Sequence, residues 1–251
     1  MKILAIGAHP DDVELGCGGA LALFKKKGHD VSVLVLTRGE ASGDPIVREK
    51  ECKLAASIIG VDRLYFGNIA DTRINDGIET IRTIENTIDT VAPDFIFTHS
   101  PKDSHQDHRN TYLSSMSAAR HTSRILLYES PAALQEFSPQ AFIDISQTID
   151  PKLKAVEAFN SQATKPYMNG KTRSTDPCRN CENYSQISNA IAGLARYRGF
   201  QAGVDLAEAF EVARYVLDLE ALPIDPVEIM DQGGRGQGRA LSCTTIQSSP
   251  T

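Results

Sequence analysis

The feature that most constrains this chain is an alternation in its first half between short apolar runs and longer segments with helical spacing. Residues 2–8 (KILAIGA) are almost continuously apolar, as a parallel strand buried on both faces requires. Residues 18–27, rich in Ala, Leu and Lys, read as a helix stopped at Gly28. Residues 31–36 (VSVLVL) are a second strand, 46–59 a helix closed by Gly60, and 64–66 a short third strand. Residues 78–91 form a helix ended by Pro93, followed by a strand at 95–98, a helix at 107–120 and a fifth strand at 125–128. Strands separated by helices of ~10–15 residues imply βαβ units and a mostly parallel sheet with helices on both faces. The expected class is α/β, a Rossmann-like three-layer sandwich.

Beyond residue 130 the pattern loosens. Residues 141–145 read as a strand, 151–159 and 182–197 as helices, and the polar stretch 164–182 as a long loop. Residues 207–216 fit helix and strand equally. From Asp231 the chain is rich in Gly and Ser without periodicity, so one domain over 1–225 and a disordered tail over 226–251 are expected. With 26 Lys and Arg against 32 Asp and Glu, the net charge of −6 disfavours nucleic acid and anionic membrane as partners. No apolar run approaches the ~18 residues of a membrane span. The apolar start is too short for a signal peptide, and five cysteines, an odd number, fit reduced thiols. A cytoplasmic protein is expected, with Cys178 and Cys181 as loop thiols or, alternatively, part of an intersubunit metal site.

The chemistry lies at the ends of strands. In a parallel sheet, ligands bind outside the carboxyl ends of the strands. The first strand runs into His9-Pro10-Asp11-Asp12, and the fourth is followed by His99 and then His105-Gln106-Asp107-His108. A helix-capping Asp is an ordinary use for Asp12 alone, but a cap needs neither a His nor a second carboxylate. If strands one and four are neighbours at the switch in strand order, both clusters open into one crevice. Their His and Asp side chains suit Zn²⁺, with three protein ligands and a fourth position for water; the same set accepts Fe²⁺ or Co²⁺. His99 sits close enough to support the site from behind. Gly16, Gly18 and Gly19 have the spacing G-x-G-G rather than G-x-G-x-x-G, which favours close helix–strand packing over a dinucleotide. Glu14 reads as a partner of the helix dipole. Arg38 and Arg48 are candidates for contacting substrate hydroxyls or phosphate, with a salt bridge to a nearby Glu equally open for Arg48, and Asp71 is a candidate for a sugar hydroxyl.

The segments AHPDDVELGCGG (8–19) and HQDH (105–108), with TRGEASG (37–43), Arg48–Glu51 and RGFQAGVDLAEAF (198–210), carry a resemblance. The chain resembles the LmbE-like, zinc-dependent de-N-acetylases, which include the N-acetylglucosaminyl-phosphatidylinositol deacetylases. The resemblance implies that His9, Asp12 and His108 ligate the metal and that Asp11 is the general base. It implies that His105, as a protonated imidazole, stabilises the oxyanion or protonates the leaving amine. Asp107 then orients a neighbouring histidine, a role metal sites favour in general. The implied substrate is a small N-acetylglucosamine-type amino sugar or conjugate, and relatives of this kind often form homo-oligomers. A two-metal phosphoesterase and a non-catalytic sugar-binding module are the alternatives.

Overall fold

The computed structural model describes residues 1–163 and 186–216. The 164–182 loop, both of its cysteines, the domain end at 225 and the tail over 226–251 lie outside the described residues. In chain order the elements are β1 (Lys2–Gly7), α1 (Asp12–Lys26), β2 (Asp30–Val35), α2 (Pro45–Ile59), β3 (Arg63–Phe66) and α3 (Ile78–Val91). Then follow β4 (Phe95–His99), α4 (Gln106–Ala118), β5 (Arg124–Tyr128), β6 (Ala141–Asp144), α5 (Ile149–Glu157), α6 (Asn160–Ala163), α7 (Gln186–Ala202) and β7 (Ala207–Tyr215). The seven strands lie in the order β3-β2-β1-β4-β5-β7-β6. The first five are parallel, while β7 runs antiparallel to both β5 and β6. This is the expected mostly parallel α/β sheet.

Alternation along β1 sorts the core into two layers. Ile3 and Ala5 pack with residues of α1, α2 and α5, whereas Leu4 and Ile6 pack with Ile84 of α3 and Ala118 of α4. Strands β1 and β4 pair directly, with Ile3 opposite Phe95, so the switch point falls between the two motif-bearing loops. Residues 207–216, ambiguous by periodicity, form a strand because tertiary pairing on both sides decides between two equal local preferences.

Helix α1 starts at Asp12, not at residue 18, and is broken at Cys17 (φ −141°, ψ 16°). The break frees backbone groups that need partners, and one buried ion pair supplies them. Lys152 of α5 donates to the Leu15 carbonyl at 2.7 Å. Glu208 of β7 accepts from the Gly19 and Ala20 N–H groups at 2.8 and 2.7 Å, and the two side chains also bind each other. The glycines serve packing, as expected: a Cβ at Gly16 would lie 2.2 Å from the Tyr128 ring, and one at Gly19 2.9 Å from Ile145.

Candidate metal centre

Between β1 and α1 the chain must turn within four residues, and Asp11 absorbs the turn with φ 108°. That conformation is unfavourable for a residue with a Cβ and is characteristic of functional sites. Asp11 occupies the N-cap position, yet its side chain makes no capping bond. The turn instead folds Asp12 back on His9: the His9 N–H donates to Asp12 Oδ2 at 2.7 Å, and His9 Nδ1 lies 3.4 Å from the same oxygen. After β4, His105 caps α4, its Nδ1 accepting from the Asp107 N–H at 3.2 Å. Asp107 and His108 then fall in the buried first turn.

The two clusters meet. His108 Nε2 lies 3.2 Å from Asp12 Oδ1, and the His9 and His105 rings are 4.9 Å apart. Each candidate ligand histidine is held from behind by carboxylates. His9 Nε2 lies 3.1 Å from Asp71 Oδ1 and 3.2 Å from Asp107 Oδ2, while His108 Nδ1 lies 2.9 Å from Asp103 Oδ2. His9 Nδ1 and His108 Nε2 therefore both face Asp12, one nitrogen and one carboxylate oxygen apart. Among the described residues three triads have ligand atoms within 4.8 Å of one another, His9–His105–His108, Asp12–His99–His108 and His9–Asp71–Asp107, and their imidazole and carboxylate donors suit a divalent cation. His99 stands behind Asp12, its Nε2 3.2 Å from both Asp12 Oδ2 and the Ala8 N–H.

Burial sets the electrostatics. Burial pushes the Asp11 carboxyl up to about 7, reinforced by Asp12 and opposed by the Arg48 guanidinium. Burial also pushes Glu14, in the first turn of α1, up to about 8. Burial opposes charge on Asp12 too, but His108 and His99 hold its carboxyl well below the usual range. Burial opposes charge on His108 as well, yet Asp12 and Asp103 carry it up to about 9 in the protein alone. His99 is driven down to about 4 by burial and by His108. His105 is lowered by burial and by the neighbouring histidines.

A cavity of about 620 Å³ opens at this end of the sheet, and His9, Asp11, Asp12, His105 and His108 line its floor. Of the substrate candidates, Arg48 and Asp71 line it and Arg38 does not. Arg38 is half-buried and pairs with Glu49 at 3.0 Å and Asn68 at 3.2 Å, over a separate groove. Arg48 is 2% exposed and pairs with Asp11 Oδ2 at 3.2 Å rather than with a Glu. It also donates to the Pro10 carbonyl and the Ser42 hydroxyl. Gly39 makes room for it: its φ is 67°, and a Cβ there would lie 2.4 Å from Arg48 Nε. Asp71 is turned to His9 and accepts from the Ala41 N–H at 3.0 Å. Sequence reasoning missed Asp103, which also accepts from the His105 N–H at 2.8 Å. Its place in the same short loop as both histidines was the available signal.

A family model described as GlcNAc-PI de-N-acetylase matches residues 4–119, a stretch that contains both motif loops. The chain is 40% identical over 152 residues to the uncharacterized deacetylase YaiS of Escherichia coli, covering 58% of this chain and 82% of that protein. It is 28% identical over 186 residues to the diacetylchitobiose deacetylase of Thermococcus kodakarensis, covering 64% and 70% respectively. Among solved structures, a conserved protein of Thermus thermophilus superimposes with a TM-score of 0.74 at 29% identity, covering 88% of this chain and 99% of the other. With the motif loops and the sheet order in agreement, the chain belongs to the GlcNAc-PI de-N-acetylase (LmbE-like) family and is an amide-hydrolysing deacetylase.

Proposed function

We propose that this deacetylase removes the acetyl group from an N-acetylglucosamine-type amino sugar or its conjugate, with one divalent ion, zinc in the first instance, held by His9, Asp12 and His108. The observation that carries the reading is the approach of His9 Nδ1 and His108 Nε2 to the two carboxylate oxygens of Asp12, in a cavity that Asp11 also lines. Similarity to a diacetylchitobiose deacetylase supports the sugar. Four carboxylates at the site, those of Asp12, Asp71, Asp103 and Asp107, support a cation. When bound, zinc makes hydroxide available near neutral pH and polarises an amide carbonyl; Fe²⁺ or Co²⁺ would do the same through these donors.

The chain's own residues supply the rest. Asp11 takes the proton of the attacking water, a task suited to a carboxyl raised toward neutrality. Arg48 fixes its rotamer and keeps its anionic form accessible. Because His105 Nδ1 accepts the Asp107 N–H, the neutral ring carries its proton on Nε2. There it donates a hydrogen bond to the amide oxygen as negative charge builds, which favours the oxyanion role over that of acid. The proton collected by Asp11 then serves the leaving nitrogen. Asp107 and Asp71 aim His9, and Asp103 aims His108.

The test is acetate release from a panel of N-acetylglucosaminides with purified, metal-quantified protein. One ion per chain and turnover in the wild type are expected, with Asp11→Ala retaining the ion and losing acetate release. Full activity in Asp11→Ala would sink the mechanism. Two ions per chain with phosphoester hydrolysis would replace it with the phosphoesterase reading, and sugar binding without turnover with the binding-module reading.

A further inference from the structure

The cavity has two unlike walls, and strand order assigns them to opposite sides of the reactive floor. The floor comes from the β1 and β4 loops. On the β2 and β3 side, the lining residues Ser42, Arg48, Asp71 and Thr72 are polar. The other wall is mainly aliphatic: Leu15 of α1, Pro131 and Ala132 after β5, and Ile187 and Ala190 of α7, with Gln186 at the start of that helix. This wall is built into the fold. Leu15 is 8% exposed and packs in a cluster with Leu153, Val156 and Ile191, against which Ile187 also rests. Ile187 and Ala190 are three residues apart on one helix face. Leu15 follows Asp11 by four residues on α1, so the aliphatic surface begins beside the base.

An acetyl group ends in a single methyl and does not need such a wall. With sugar hydroxyls on the polar side and the amide on the floor, the acyl carbon chain points to the side opposite the sugar. Resting on the proposed function above, we infer that the enzyme also hydrolyses N-acyl amino sugars with acyl chains longer than acetyl, the chain lying along Leu15, Pro131, Ala132, Ile187 and Ala190. The step is balanced by water alone. Its oxygen bonds to the acyl carbon, the C–N bond breaks and a proton goes to nitrogen, giving a fatty acid and a free amine.

The experiment compares kcat/KM for N-acetyl-, N-butyryl- and N-hexanoylglucosamine, alongside methyl and hexyl glycosides of N-acetylglucosamine. Each methylene buried on the wall is worth about a fourfold gain, so kcat/KM should rise from acetyl to butyryl. Ala190→Asp, at an exposed helix position that folding tolerates, and Ile187→Asp should each bring the butyryl-to-acetyl ratio down by about tenfold or more. In parallel, competition binding of hexanoate against acetate is read on the metal-loaded protein. Hexanoate should bind at least about tenfold more tightly, and Ala190→Asp should remove the difference. A tenfold drop from acetyl to butyryl overturns the inference, as does a gain confined to the hexyl glycoside, which would give the wall to the aglycone. If no amino sugar is turned over but hexanoate keeps its Ala190-dependent preference, the sugar reading fails and the acyl wall stands. Equal binding of the two acids removes the wall as well.

Discussion

Two buried clusters of charge flank the first segment of α1, and they are built on opposite principles. At the break in the helix, Lys152 and Glu208 face each other, and each also binds buried backbone freed by the break, the Leu15 carbonyl and the Gly19 and Ala20 N–H groups. At the N-terminus, carboxylates crowd around His9 and His108, and Asp107 Oδ1, His99 Nδ1 and Arg48 Nε are buried with no hydrogen-bond partner among the described residues. Unsatisfied buried groups cost stability. A fold that closes one cluster and leaves the other open, a few residues away on the same helix, reserves the open one for something that binds.

Exchanging the roles of the two clusters is the strongest way to break this contrast. Asp11→Asn should lower kcat/KM by about 10²–10⁴-fold, the usual worth of a general base, measured as acetate release. The same change should stabilise the protein. The folded-state pKa of Asp11 is raised to about 7, so its contribution to stability is fully present below the unfolded carboxyl range and is lost as pH rises through about 7. In chelator-treated protein at pH 8, Asp11→Asn should therefore melt higher than wild type. A lower melting temperature would mean that Asp11 is a structural anion.

Lys152→Ala should do the reverse. It strands Glu208 in the core and costs about 3–5 kcal/mol, as for other broken buried pairs, while the activity per folded molecule stays near wild type. Urea titration with parallel kinetics checks both halves. Chelation comes next. Removing an ion present at about a hundred times its dissociation constant should cost about 2.7 kcal/mol, read as a fall in melting temperature. His108→Ala should abolish that fall and Lys152→Ala should not. Gly16→Ala, which sets a Cβ 2.2 Å from Tyr128, should cost about 1–3 kcal/mol through overpacking.

The smallest effect sharpens the contrast inside the site. Arg48 lowers the pKa of Asp11 by its charge, so Arg48→Met should move the rising limb of the kcat/KM–pH profile upward. An unmoved limb would give Arg48 to the substrate instead.

Much of this architecture was legible in residue order. Apolar runs such as VSVLVL and the glycine and proline stops outlined the parallel strands and their helices, since both depend on local periodicity. The pairing of HPDD with HQDH was legible for the same reason: each cluster sits within a few residues of a strand end. The N-terminal start of α1 was not, because a helix broken at Cys17 survives only with Lys152 and Glu208, 135 and 191 residues further on. Nor was the fate of the arginines, since both lie near the second strand and only one points inward.

By itself, then, the sequence determined the α/β class and the two loops that hold the reactive side chains, because strand periodicity and local spacing need no knowledge of distant partners. Only the tertiary structure decided which histidine nitrogens face Asp12, that Asp103 pairs with His108 and Arg48 with Asp11 while Arg38 pairs with Glu49, and that the cavity has one mainly aliphatic wall. Those outcomes depend on which side chains from separate strands share one buried volume, where desolvation and neighbouring charge fix protonation and orientation together.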